Sequence, residues 1–223
     1  MALILNIDTA TEIAGISLSK EGESLLILQN REQKEHASWL HEAIVRLMES
    51  TGYGMGDLQA VAVTAGPGSY TGLRVGMAAA KGFSYALGIP LIAENTLKVM
   101  AYAASLQGLP AGLLCPMIDA RRMEVFTAVY GSDLVELLSP TAMVIDQNSF
   151  ENYLSAQAVS FFGGGSYKCK PLFTNPSAVF VDVNYHVGYL GILSFLRYLQ
   201  REFTDVITAG PVYTKEFYTH TKK

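Results

Sequence analysis

The run Val61-Ala62-Val63-Thr64-Ala65-Gly66-Pro67-Gly68-Ser69-Tyr70-Thr71-Gly72-Leu73-Arg74-Val75-Gly76 permits very few local structures. Ala60 to Ala65 reads as a buried strand. The glycines and the proline then impose a tight turn, and a helix follows to about Leu87, where Gly88-Ile89-Pro90 stops it. Leu91 to Ala93 is the next strand and Thr96 to about Leu106 the next helix. This order of strand, loop, helix and strand places the chain in the α/β class.

The residues before that run add three strands. Leu3 to Asp8, Ala14 to Leu18 and Ser24 to Leu28 are apolar stretches joined by short polar turns. From His36 to Glu49, apolar Ala37, Leu40, Ala43, Ile44, Leu47 and Met48 recur at helical spacing, with Gly52 just beyond as a stop signal. The second half reads as a weaker copy. It has strands over Gly112 to Asp119 and Met123 to Tyr130 around the turn Ala120-Arg121-Arg122, then a short helix near Asn148 to Ser155. Strands over Val159 to Phe162 and Val179 to Val181 and a helix over His186 to Arg201 complete it. The element order suggests a duplicated α/β fold without a clear residue-level repeat. Two lobes are expected, residues 1–108 and residues 109–223, with the chain end returning to the first.

Bulk properties exclude several function classes. Half of the 223 residues are hydrophobic, yet none of the apolar runs reaches the ~18 residues that a membrane span needs. The N-terminus has no basic segment and meets Asp8 early, unlike a secretory signal, so the expected location is the cytoplasm. Cys115 and Cys169 lack CxxC spacing and read as reduced, structural residues. The net charge is −4 and the basic residues form no block beyond Lys222-Lys223, so a nucleic-acid footprint is missing and any RNA contact is assigned to a partner.

The glycine loop is the first candidate site. Gly66, Gly68 and Gly72 free the backbone, and the N-terminus of the following helix offers unpaired N–H groups, which together suit an anion, with Gly68 and Ser69 nearest to it. The same residues also describe a plain turn with Ser69 or Thr71 as N-cap and glycines chosen for close packing. No Gly-Lys-Ser/Thr follows, so this is not a P-loop. Asp8 and Thr9 end the first strand, where open α/β sheets place ligand groups, but Asp8 serves equally well as a turn cap. Gly163-Gly164-Gly165 allows close approach to a base or ribose, or is a loop. His36 and His41 lie five apart on one helix and cannot chelate one metal; His186 and His220 lie far from them. No Ser/His/Asp or Cys/His arrangement emerges.

Asn6-Ile7-Asp8-Thr9-Ala10-Thr11-Glu12, Glu35-His36-Ala37-Ser38, the glycine loop through Gly76, and Met117-Ile118-Asp119-Ala120-Arg121 together resemble the TsaB (YeaZ) family of bacterial tRNA N6-threonylcarbamoyladenosine (t6A) biosynthesis. The likeness is close over the N-terminal half and looser from about Asp133. It implies the ASKHA fold of actin, Hsp70 and sugar kinases, two α/β lobes with mixed sheets. It also implies a non-catalytic subunit without metal or required cofactor, though with room for weak ATP or ADP binding at Asp8, Thr9, Gly66, Gly68, Ser69 and Gly72. The partners it implies are a catalytic TsaD-type paralogue and a TsaE-type ATPase, with tRNA met only through the complex and a homodimer formed in isolation. Where the paralogue carries a metal-binding His-x-x-x-His, this chain has Asn95 and Val99. A stand-alone transferase or kinase is the alternative, weakened by the short second half, and a metallopeptidase lacks its ligands. The expected partner surface is the helix pair with His36, Trp39, Leu40, Ala43, Gly72, Leu73, Gly76 and Ala80. Gly72, Gly76 and Ala80, four apart, make a face that a second helix can approach, although a sheet of the same chain fits there equally well.

Overall fold

The computed structural model describes residues 2–32, 36–110 and 112–215; of the side chains of His36 and Ala37 nothing is said. His220 and Lys222-Lys223 therefore lie outside the described residues.

Among the described residues, ten strands form two five-stranded sheets with the same internal order. In the first, β1 (Leu3–Asp8), β2 (Ala14–Lys20) and β3 (Glu23–Asn30) form an antiparallel meander, and β4 (Ala60–Gly66) and β5 (Leu91–Asn95) continue from β1 in parallel. In the second, β6 (Leu113–Asp119), β7 (Glu124–Tyr130) and β8 (Glu136–Val144) form the meander, with β9 (Val159–Phe162) and β10 (Ala178–Phe180) parallel to β6. The duplication expected from element order is thus a duplication of topology. A trace of it survives in residues, because β1 and β6 hold the same place in their sheets and both end in Ile-Asp, at Ile7-Asp8 and Ile118-Asp119.

The sequence reading left β8 out entirely. Its Ser139-Pro140 and its broken alternation hide it, and Pro140 is tolerated because β8 is an edge strand. The helix expected over Asn148 to Ser155 shrinks to one turn, α4 (Glu151–Leu154).

Side-chain alternation divides the first sheet between two helical layers. Leu3, Leu5 and Ile7 of β1 pack with Leu40, Ala43, Ile44 and Leu47 of α1 (His36–Thr51) and Met77 and Ala80 of α2 (Tyr70–Leu87). On the opposite face Ile4 meets Val99 of α3 (Thr96–Ser105) and Leu190 and Leu193 of α5 (Gly188–Gln200). Asn6 points to this second side, wholly buried. It donates Nδ2 to Ser19 Oγ at 2.9 Å and accepts from Ser194 Oγ of α5 at 2.8 Å, a satisfied polar contact that fixes where α5 docks. Helix α3 serves both lobes: Leu97, Met100, Ala101 and Ala104 cover Leu114, Ile118 and Phe162 of the second sheet. That sheet's other face is closed by Phe150, Phe161 and Phe173, whose rings lie 5.1–6.0 Å apart.

Candidate functional site at the strand ends between the lobes

The β4 carbonyl end and the N-terminus of α2 meet the turn after β1. Ser69 caps α2, accepting from Gly72 N at 3.3 Å. Its own N–H donates to Ala10 O at 2.7 Å, and Thr9 donates Oγ1 to Gly72 O at 2.6 Å. The glycines make this contact sterically possible. A Cβ on Gly68 would stand 2.2 Å from Ala10 O, one on Gly72 2.0 Å from Thr9 O, and one on Gly76 2.3 Å from Thr9 Oγ1. The place beside Gly68 and Ser69 that an anion's oxygen would need holds the Ala10 carbonyl of the chain itself. Of the two sequence readings of this loop, these contacts match close packing.

Asp8 is similarly engaged. Its Oδ1 accepts from Ala10 N at 3.0 Å and Thr64 Oγ1 at 2.8 Å, and its Oδ2 from the Tyr185 hydroxyl at 2.5 Å. Burial, reinforced by the neighbouring Asp8 carboxylate, pushes the Tyr185 phenol well above its ordinary range, so this hydroxyl stays a donor. Tyr185 lies in the link between β10 and α5, and sequence reasoning missed it. Its only local signal is an aromatic next to the start of an amphipathic helix.

The second lobe repeats the arrangement with different groups. Gly163, at φ 92°, and Gly165 run so close to β6 that added Cβ atoms would lie 2.5 Å from Met117 O and 2.9 Å from the Ile118 carbonyl carbon. Glu12 of the first lobe faces this triplet, 3.9 Å from a Cβ built on Gly164. Asp119 Oδ1 accepts from Arg121 N at 2.7 Å and from Lys168 Nζ at 2.5 Å. Partial burial works against the charged carboxyl, but Lys168 and the Arg121 N–H outweigh it and hold Asp119 below its usual range. A 3-10 turn (Lys170–Leu172) stands where the first lobe has α2, so no helix N-terminus follows this glycine triplet.

Asn95 and Val99 have structural roles here. Asn95 Oδ1 caps α3, accepting from Leu97 N at 2.9 Å and Lys98 N at 3.2 Å, and Val99 is buried in the core. Among the described residues no group of three or more His, Cys, Asp or Glu could hold a metal. Both cysteines are free and buried, and burial pushes the Cys115 thiol up to about 12.

The residues expected at a partner surface need correction. Leu40, Ala43, Gly72, Leu73, Gly76 and Ala80 are buried inside this chain, because the small-residue face of α2 packs on β1 and its turn. Trp39 is half-buried, and the His36 side chain lies outside the described residues. The outward face of α2 instead carries Arg74, Ala78, Gly82 and Tyr85.

A family model described as "TsaD: tRNA N6-adenosine threonylcarbamoyltransferase" matches residues 29–187. The chain belongs to this family. Within it the similarity is to the TsaB/YeaZ proteins. The Bacillus subtilis (strain 168) "tRNA threonylcarbamoyladenosine biosynthesis protein TsaB" is 35% identical over 127 residues, covering 57% of this chain and 54% of that protein. The protein of the same description from Haemophilus influenzae is 26% identical over 228 residues, covering 98% of this chain and 96% of that one. The match thus spans about half the length of the Bacillus subtilis relative and nearly all of the Haemophilus one. The solved structure titled "YeaZ from Pseudomonas aeruginosa" has a TM-score of 0.81 at 23% identity, over 96% of this chain and 100% of that one, which establishes a shared fold. That fold is the duplicated ASKHA-type architecture, with two mixed sheets. Among the described residues no helix is long and apolar enough to cross a membrane.

Proposed function

We propose that this chain is a non-catalytic subunit of the tRNA t6A modification machinery. In this reading it supports a catalytic TsaD-type paralogue together with a TsaE-type ATPase, and meets tRNA only through that complex in the cytoplasm. The relatives named for t6A biosynthesis support the pathway. One observation favours the non-catalytic role: the polar groups at the β1 and β4 ends, which would face a substrate, are engaged by Ala10, Thr64, Gly72 and Tyr185 of the chain itself. No cofactor is required in this reading, and ATP or ADP binds the isolated chain weakly at most.

The partner surface in this reading is the outward side of α1 and α2, where Val45 and Tyr85 are 56% and 80% exposed. Without the paralogue the same side pairs two copies. Gly82→Arg tests it, because a Cβ at Gly82 meets nothing within 4 Å and the fold can accept the side chain. Loss of co-elution with the TsaD-type partner, with an unchanged circular dichroism spectrum, is the expected result. Wild-type partner affinity in that variant overturns the assignment of α2. Threonylcarbamoyl transfer by the chain alone overturns the non-catalytic reading.

A further inference from the structure

The last described stretch, residues 201–215, is mostly irregular, yet it is fastened at five successive places. Thr204 N donates to Leu91 O at 2.8 Å and Thr204 Oγ1 accepts from Ala93 N at 3.1 Å, along β5. Lys81 of α2 donates Nζ to the carbonyls of Ile207, at 3.1 Å, and Ala209, at 2.7 Å. Val212 N donates to Ala65 O at 2.7 Å, at the very end of β4. Tyr213 accepts from Arg74 Nε at 3.0 Å, and its ring centroid lies 5.3 Å from that of Tyr70. Lys215 then leaves the first lobe and pairs with Glu124 at the start of β7.

We propose that residues 204–215 are a releasable strap, held across the mouth between the lobes by the Lys215–Glu124 pair and covering the β4 end of the glycine loop. The cover is steric as well as polar. Gly66 adopts φ 120°, and a Cβ there would stand 2.5 Å from Val212 O, so the loop has room for the strap only because residue 66 has no side chain. The fastenings differ in strength along the segment. Near Thr204 they are backbone hydrogen bonds to a central element. Among the described residues the last fastening is an ion pair with Lys215 41% exposed, the kind of contact that salt screens and that contributes little by itself. The strap therefore opens from its distal end, and opening uncovers the Ala65 carbonyl and Gly66 next to Thr64, which holds Asp8. Any partner that draws Lys215 from Glu124 shifts the strap toward the open state, and any ligand needing the β4 end is favoured by the same shift.

Amide hydrogen exchange on the full chain, resolved at Val212 and over Ala65 to Gly68, reads the strap directly. Lys215→Glu should raise exchange at Val212 about threefold at low salt, as expected for loss of one exposed ion pair. Raising the salt from about 50 to 500 mM should do the same to the wild type and little to the variant. Glu124→Lys should act as Lys215→Glu does, and the two together should restore the wild-type rate. Lys215 is exposed and Glu124 partly buried, and an unchanged melting curve shows that the fold survives in each variant. Unchanged exchange at Val212 in both single variants, or failure of the charge-swapped double to restore it, overturns the strap. Faster exchange at Val212 with none at Gly66 to Gly68 overturns its role as a cover.

Discussion

Three glycines on the single helix α2 sit in three different environments, and adding one methyl group to each should give three different outcomes. At Gly76 the new Cβ would stand 2.3 Å from Thr9 Oγ1, the atom that donates to Gly72 O at 2.6 Å. Thr9 is wholly buried, so its hydroxyl cannot swing into solvent. Either it rotates and leaves its own buried hydroxyl unpaired, at about 1–3 kcal/mol, or the helix moves off β1, at a similar overpacking cost. The higher helix propensity of alanine returns about 1 kcal/mol. Gly76→Ala should therefore destabilise the chain by up to about 2 kcal/mol.

The double-mutant cycle with Thr9→Ala tests this cause rather than the size alone. Thr9→Ala removes the clashing atom and leaves the residue 9 Cβ 3.6 Å from the new methyl, an ordinary contact. Singly it loses a buried hydrogen bond, about 1 kcal/mol. In the double variant the clash is gone and the propensity gain remains, so the combined loss should fall at least about 1 kcal/mol short of the sum. Gly72→Ala should be worse than Gly76→Ala, because its obstacle is the Thr9 backbone oxygen at 2.0 Å. Gly82→Ala, with nothing within 4 Å, should stabilise by about 0.5–1 kcal/mol. Urea unfolding of the five variants supplies all these differences. Additive effects of Thr9→Ala and Gly76→Ala, or a stabilising Gly76→Ala, would refute the claim that this face of α2 is locked onto the β1 turn.

Tyr185→Phe removes the donor to Asp8 Oδ2 and should destabilise by about 1–3 kcal/mol, measured by urea unfolding, while in ultraviolet titration the set of tyrosines that stay protonated above the usual range, which includes buried Tyr130, should lose one member in the variant. His186 Nδ1 accepts from Gly188 N at 3.2 Å, and burial lowers its folded pKa from 6.5. The unfolded chain then binds the proton more readily, so this stability is present above about pH 6.5 and is lost as pH falls below it. His186→Gln should flatten the melting temperature between about pH 7.5 and 5.5 relative to wild type. Glu94 is nearly fully buried and pairs with Arg197 at 2.8 Å, so Glu94→Gln should cost up to about 3 kcal/mol in the same unfolding assay, reduced because Arg197 is 28% exposed. Gly68→Val should unfold the loop against Ala10, so a nucleotide titration of the chain is informative only for variants that retain their circular dichroism spectrum.

The regular first lobe was legible because its elements announce themselves. Strands β1, β2 and β3 are apolar runs bounded by polar turns, α1 has an unbroken 3–4 spacing, and α2 opens at a capping Ser69 and closes at Gly88 in the left-handed region. The orientation of α2 was not legible. Small residues line both of its sides, Gly72, Gly76 and Ala80 on one and Ala78 and Gly82 on the other, and spacing alone cannot say which side meets the sheet. Only the approach of Thr9 decides it. For residues 201–215 the sequence offered the return of the chain end to the first lobe but none of the fastenings, which are main-chain carbonyls and single charges on distant elements. Tyr185 and Lys168 escaped for a related reason: each acts on an aspartate that sequence separates from it by many elements.

The two Ile-Asp strand ends explain why topology is duplicated while chemistry is not. In the first lobe the turn after β4 leads into an eighteen-residue helix, and a neutral hydroxyl group from Tyr185 suffices to hold Asp8. In the second lobe the turn after β9 leads into a three-residue 3-10 segment, so no α-helix follows that strand as α2 follows β4. The second lobe places a lysine there, and Lys168 bridges Asp119 and the Glu124 carbonyl at 2.5 and 2.7 Å. The two aspartates are thus satisfied by different groups, a phenol for Asp8 and an ammonium for Asp119, and α3 packed on both sheets holds the lobes together. A nucleotide entering between the lobes would therefore meet both aspartates already bonded, Asp8 to Tyr185 and Asp119 to Lys168.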